Sequence, residues 1–553
     1  MGTFLAARVI FLTTLALSAS AAPIRPPLPR HATLSTALGP VIERCEEFLT
    51  RGFDLSRGAL FTFRHIRHGM NVPRGSNLKA PPSISTLELA RLMKILVIDG
   101  NQLAFTEEAS RLALKYGGAA YIPLASGFGN AGTVVVVDPE LVKQVFNNSD
   151  DALIRGKAFD ILRQLIGHGT LSTDHEEHTR RRNAIMPFFF NRTRVSTMTP
   201  QMNISIAHFL KRLDEAAERE DAVNLHELMK ETTLGVITKV LYSYDISDED
   251  ARTVSQSLAT ALDFSTRYSI PVTLFKDPRR PIEDPTFKLA VRDMEAVAHR
   301  IIHWRLAHPL PGDRSTEDLK TMDSSQCDVL TYIFRDVGVT PGSTPNDQQM
   351  RVLRDEVMTL MLAGHETTAN AITWTWVNLL ETPSVLERMR AEVDSVLGRR
   401  TATMADFRNL PYTANVHRES LRHDSPLYWF ARHAERDTAL GPYFIPVNTH
   451  VFYSTLAVHR HPGHWPDGDR FDPDRFGEQQ GARYGGAECP FAGGKNFCVG
   501  QPIATTELNL ISIQIAQKYE LFKADPTPVV REGKVTLQPR DGFWVRVRKR
   551  NSP

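Results

Sequence analysis

Residues 490–502 read PFAGGKNFCVGQP, and the reading of the whole chain turns on what Cys498 does there. The thiol stands among glycines, directly ahead of the apolar run IATTELNLISIQIAQ at 503–517. Buried filler is the ordinary fate of a free cysteine. A glycine-rich loop, however, points backbone N–H groups inward, and a helix that begins just after the cysteine adds the positive end of its dipole. Together they stabilise a thiolate, a strong soft ligand for iron.

The chain of 553 residues, 42% of them hydrophobic, can bury a large core as one large domain or two modest ones. Its 65 basic residues nearly cancel its 63 acidic ones, so no global field points to nucleic acid. The four cysteines (Cys45, Cys327, Cys489, Cys498) are widely spread and form no CxxC. That excludes a disulfide framework and a ribbon-type zinc site. A zinc centre from Cys489, Cys498, His461 and His464 fails on spacing.

The N-terminus, MGTFLAARVIFLTTLALSASAAPIRPPLPR, places one arginine before an apolar run from Val9 to Leu17, then small residues, then prolines. Three readings compete for residues 1–30: a membrane anchor, a cleaved signal peptide and an organelle transit peptide. The anchor, placing the protein at the endoplasmic reticulum membrane, is preferred on the strength of the downstream motifs; the others imply secretion or a mitochondrial address. N-x-S/T triplets at Asn147, Asn191 and Asn203 would matter only in a secreted chain. Residues 31–80 read as a basic extension ending at Pro81 and Pro82, and residues 81–553 as the catalytic domain.

The body is patterned mainly as helices, with a small sheet near each end. GFGNAG, with Gly127, Gly129 and Gly132, matches the dinucleotide fingerprint letter for letter. Its glycines precede the strand-like TVVVV, not a helix, so the stretch reads as a hairpin turn. The longest helix candidate is RVLRDEVMTLMLAGHETTANAITWTWVNLLE at 351–381, whose apolar spacing stays in register on both sides of AGHETT. Either Glu366 is solvated beside a tolerated Gly364, or the helix opens locally so that Glu366 and Thr367 face a cavity.

Phe491-x-x-Gly494-x-x-x-Cys498-x-Gly500 resembles the haem-binding loop of the cytochrome P450 family, the haem-thiolate monooxygenases. Further motifs follow the family's order. ESLRHDSP supplies Glu419 and Arg422, and FDPDRF supplies Arg475, which the resemblance assembles into a buried Glu-Arg-Arg network. A second ExxR, Glu387 to Arg390, reads as a surface ion pair. AGHETT maps the oxygen-activating acid onto Glu366 and the alcohol onto Thr367. HEEHTRRRNAIMPFF places His178 and Arg182 where the family crosses the haem edge, and Arg432 matches the strand arginine that pairs with the other propionate. The chain departs from the family at Asn496, where Arg or His is usual, so Arg432, Arg182 and His178 carry the clamp unless Lys495 bends back.

The resemblance implies a mainly α fold with small β-sheets holding haem b on Cys498. It implies O2 as cosubstrate and insertion of one oxygen atom into a lipophilic small molecule. Pocket candidates are Ala363, Leu427, Tyr428, Trp429 and Phe430. The chain ends soon after the loop and its helix, so electrons are expected from a separate NADPH-dependent cytochrome reductase. The basic tail VRVRKR and Lys495 could meet an acidic partner, or the tail is solvated. Two rivals are a haem-thiolate isomerase or dehydratase that uses no O2, which needs no Glu366 and Thr367, and a haem-binding sensor or carrier.

Overall fold

The computed structural model describes residues 70–550 except 124–131, 148–150, 276–283, 316, 341 and 478–486. Residues 1–30, read from the sequence as an anchor or targeting segment, and residues 31–69 lie outside the described residues, as do Gly127 and Gly129. Among the described residues no helix is long and apolar enough to cross a membrane. The described residues form two compact units: those within 70–161, 265–275 and 429–457, and those within 162–264, 284–428 and 458–550.

In the first unit, α1 (Gln102–Lys115) begins at Asn101, whose Oδ1 accepts the N–H of Ala104 at 3.0 Å. Phe105, Ala109 and Leu112 fall on one face of α1 and pack with Ile122, Val135 and Phe452. The sheet holds β1 (Ala119–Ile122), β2 (Thr133–Val136), β3 (Leu153–Ile154), β4 (Phe430–Ala434) and β5 (His450–Tyr453) in the order β1-β2-β5-β4-β3. β1 and β2 pair antiparallel, with Ile122 opposite Thr133. Gly132, the one described glycine of the cluster, thus directly precedes a strand. At Gly132 φ is +80°, and a Cβ there would stand 2.6 Å from the Tyr121 ring, so the position needs glycine. Sheet pairing starts before the Pro81–Pro82 pair: Lys79 donates its N–H to Pro442 at 2.7 Å and accepts from Phe444 at 2.9 Å.

The second unit is helical. Its elements that bear on the site are α2 (His175–Phe189), α3 (Leu225–Tyr242), α4 (Asp347–Glu381), α5 (Pro411–His423), α6 (Gln501–Lys518) and a hairpin of β6 (Arg531–Gly533) and β7 (Leu537–Pro539). Asn346 and Gln349 exchange side-chain and backbone bonds at 2.9 Å each, a capping box that starts α4. From there α4 runs unbroken for 35 residues, roughly 50 Å of helix. Trp374 and Trp376 are fully buried on it; such side chains anchor a core because each removes a large apolar area from water. α3 packs tightly on α4, since a Cβ on Gly364 would lie 2.5 Å from Ile237 Cδ1. α6 is buried along most of its length, its polar residues Thr506, Glu507, Asn509, Ser512 and Gln514 included.

Two expectations about charged residues change. The tail is an ordered strand and not a loose end: Trp544–Lys549 pairs in a sheet, Arg548 pairs with Glu520, Lys549 with Glu218 at 3.0 Å, and Arg550 with Asp394 at 2.8 Å, while Arg546, Arg548 and Lys549 stay exposed to solvent. Strand pairing sets those cations against acids distant in sequence. Arg390 of the second ExxR makes no ion pair with Glu387; it donates to the carbonyl of Tyr519 at 3.0 Å.

Candidate functional site

The Cys498 loop is closed by its own backbone. The N–H of Cys498 donates to the carbonyl of Phe491 at 2.9 Å, across a 3₁₀ turn at Gly494–Asn496. Gly494 takes φ +58°, the left-handed region that glycine enters freely. Gly500 caps α6, and the N–H groups of Gly500 and Gln501 point at the Cys498 sulfur. The thiol is accessible to solvent although protein surrounds it, as at the wall of an internal space. Burial pushes its pKa up, opposed by those two N–H groups and by Arg182. A bound cation would displace its proton. Cys489 is a different thiol: it is buried, and burial pushes it up to about 12.

Beneath the loop, Glu419 and Arg422 sit one turn apart on α5, both fully buried. Arg422 clasps Glu419 with Nε at 2.7 Å and Nη2 at 2.8 Å, and Arg475 Nε reaches the same carboxylate at 3.3 Å. The remaining guanidinium hydrogens go to backbone carbonyls, among them His459 and Gly468 at 2.7 Å each. The N–H of Asp472 completes the carboxylate at 2.8 Å. Such a buried charge cluster holds only while every member is paired.

On α2, His178 and Arg182 lie on one buried face. Arg182 spreads its guanidinium 4.4 Å from the centre of the Phe497 ring, and its Nη2 is buried without a partner among the described residues. Burial lowers its pKa, while Cys498 opposes that shift. A buried cationic donor beside the loop thiol fits the carboxylate edge of a haem. Arg180 belongs to the surface, paired with Glu177 at 3.0 Å and with Asp336. Lys495 is exposed and Asn496 half-buried on the 3₁₀ turn. Arg432 lies in the other compact unit, buried on β4, where its Nη1 donates to the carbonyl of Ala431 at 2.9 Å. Among the described residues no group of three or more His, Cys, Asp or Glu is placed to hold a metal ion.

α4 neither breaks at AGHETT nor exposes Glu366 to bulk solvent. Its middle is buried except at Ala363, Gly364 and Thr367, which are half-buried and fall on one face at i, i+1 and i+4. Thr367 Oγ1 donates back to the carbonyl of Ala363 at 2.6 Å, a bond that loosens a helix turn. Glu366 points elsewhere. It lines a cavity of ≈ 340 Å³ with His226, Lys230, His365 and Lys534 among its walls, and burial raises its pKa. The acid and the alcohol therefore occupy different faces.

The aromatic pocket candidates are engaged as well. Tyr428 is fully buried, its hydroxyl donating to the carbonyl of Lys534 at 2.8 Å. Trp429 stacks on Phe452 and Phe430 on Tyr453, with ring centres 5.3 and 5.0 Å apart. Leu427, between them and α5, is half-buried. The sequence reading missed Thr536, whose Oγ1 donates to Glu366 Oε1 at 2.6 Å. Nothing local marks Thr536, because the contact spans 170 positions.

The family model described as Cytochrome P450 matches residues 95–545. "Protein LUTEIN DEFICIENT 5, chloroplastic" from Arabidopsis thaliana is 28% identical over 81% of this chain and 75% of its own length. "Cyclooctat-9-en-7-ol 5-monooxygenase" from Streptomyces melanosporofaciens is 27% identical over 71% of this chain and 81% of its own. The crystal structure of the cytochrome P450DA heme domain superposes with a TM-score of 0.66 at 23% identity, covering 86% of this chain and 97% of that one, a likeness of fold. The mainly α fold with small sheets is the one that carries haem b, and the chain belongs to the cytochrome P450 family.

Proposed function

We propose that this chain is a monooxygenase that places one oxygen atom of O2 into a C–H or C=C bond of a lipophilic organic substrate, with electrons from a separate NADPH-dependent reductase. The observation that carries the reading is the Cys498 thiol, held in a backbone-closed loop and facing an internal space beside the unpartnered Nη2 of Arg182. Haem b, when bound, supplies the electron transfer and the activation of O2. The rest falls to the chain. Cys498 would hold the haem iron through its sulfur, with the N–H groups of Gly500 and Gln501 stabilising its charge. Arg182 and His178 would hold the carboxylate edge. Thr367 presents its hydroxyl on the open face of α4. Glu366, whose protonated form burial favours, is the proton donor. Ala363 and Leu427 would line the substrate space, and Tyr428 would stiffen its wall through its bond to the carbonyl of Lys534.

An isomerase or a carrier needs no acid and alcohol on the helix nearest the open face, so neither reading is preferred. One relative is itself named as a monooxygenase. The test is direct. Reduced protein under carbon monoxide should show the red-shifted Soret band of a thiolate-ligated haem, lost in Cys498→Ser and kept in Cys489→Ser. Product formed under isotopically labelled O2 should carry one labelled oxygen; label arriving from water instead would overturn the reading. Residues 1–30 we assign as an anchor in the endoplasmic reticulum membrane. Their deletion should release the protein from membranes with its haem spectrum intact, whereas secreted protein trimmed near Ala22 would point to a signal peptide.

A further inference from the structure

A chain of hydrogen bonds ends on Glu366. His226 Nε2 meets Asn370 Oδ1 at 2.7 Å, Asn370 Nδ2 donates to Thr536 Oγ1 at 3.1 Å, and Thr536 Oγ1 donates to Glu366 Oε1 at 2.6 Å. All four side chains are buried, and they come from α3, α4 and the residue that precedes β7. The direction is set by chemistry. An amide nitrogen can only donate, so Asn370 leaves Thr536 its single hydroxyl hydrogen for Glu366. Asn370 Oδ1 can only accept, so His226 stands as the neutral tautomer with hydrogen on Nε2. Burial holds that imidazole uncharged, with a pKa of about 3. Three donors in line thus make Glu366 Oε1 an acceptor.

The other feature is the cavity into which Glu366 opens. Its walls include Lys230, Lys534 and Glu227, and also the buried imidazole of His365. Polar groups of this kind need water. Burial raises the Glu366 pKa most, the Thr536 hydrogen bond and the two lysines lower it, and Glu227 raises it.

We propose that Thr536 is a positioning residue for Glu366: by holding Oε1 as an acceptor it confines the acid's exchangeable proton to Oε2, and Glu366 renews that proton from water in the cavity beside Lys230, His365 and Lys534. The inference rests on Glu366 being the proton donor and adds the residue that orients it and the place where it is recharged. Oriented this way, the acid keeps one oxygen fixed while the other takes up and releases hydrogen. A carboxyl free to rotate would divide its proton between both oxygens and present it less often in one place.

The experiment uses the full haem-loaded protein and reads the infrared C=O stretch of the Glu366 carboxylic acid, identified as the band lost in Glu366→Gln. Thr536→Val keeps the side-chain size but removes the donor. It should move that band to higher frequency, while Thr536→Ser leaves it in place. Transfer to heavy water should shift the band in the native protein within the mixing time, as a cavity open to water requires. In turnover, Thr536→Val should divert roughly fivefold more of the consumed O2 to peroxide, the effect of losing one ordinary hydrogen bond, with Thr536→Ser close to native. No carboxylic band lost in Glu366→Gln, a band indifferent to Thr536→Val, or one that does not exchange would each overturn the inference. Failure of the monooxygenase reading shows separately, as absence of the carbon monoxide spectrum of a thiolate haem.

Discussion

The backbone N–H of Cys489 donates to His459 Nε2 at 3.0 Å, while Nδ1 of the same ring meets the carbonyl of Arg422 at 3.1 Å. One neutral imidazole thus ties the entry of the Cys498 loop to the helix that carries the Glu-Arg-Arg cluster. His459→Ala should strand a buried N–H and open a small cavity, destabilising the protein by about 2 to 4 kcal/mol. Urea unfolding followed at the haem and by far-ultraviolet dichroism measures it, and a midpoint equal to the native one would deny the ring this role.

Four histidines are held neutral by burial: His226, His365 and His459 with pKa values of about 3, and His417 of about 4. Unfolded, each returns to near 6.5. Below that pH the unfolded chain binds protons the folded one refuses, so stability is complete above it and falls with pH by about 1.4 kcal/mol per unit for each group. Acid loosening should therefore begin well before the carboxylates Glu88 and Glu177, with pKa values of about 2, contribute. The urea midpoint should drop clearly between about pH 6.5 and pH 5, and His417→Gln should flatten that slope.

Arg182 should hold the cofactor where Arg180 does not. Replacing the buried, stacked guanidinium by alanine removes a charge-assisted bond, so haem transfer to an apo-globin acceptor should accelerate roughly ten- to a hundredfold. Arg180→Ala, at a surface ion pair, should leave the rate unchanged, because exposed pairs contribute little. Equal rates for the two variants would sink the assignment.

Gly364 should be limited by a single methyl group. Alanine is the better helix former by about 1 kcal/mol, but its Cβ would drive into Ile237 Cδ1. Gly364→Ala alone should therefore destabilise by about 1 to 3 kcal/mol, and adding Ile237→Val, which lacks that methyl, should recover most of the loss. Thermal unfolding of the two single variants and the double variant closes the cycle.

Local patterns made much of this protein legible. The spacing around Cys498, with glycines before it and an apolar helix after it, needs only neighbouring residues to produce a closed loop with inward N–H groups. Glu419 and Arg422 are a turn apart, and α4 could be followed through AGHETT because its apolar register resumes beyond it. What could not be read were partners distant in sequence. The tail looked free until Arg548, Lys549 and Arg550 met Glu520, Glu218 and Asp394.

The sequence by itself determined the family, the loop that carries the thiol and the adjacent acid and alcohol, because each is a property of residues within a few turns of one another. The tertiary structure decided where those groups point. Thr367 and Glu366 are neighbours, yet the helix turns them to different faces. Which face meets an open space and which meets Thr536 depends on packing against α3 and the β6–β7 hairpin. Side-chain direction and burial, unlike helical spacing, arise only when distant segments pack together, and they set the charge each group keeps.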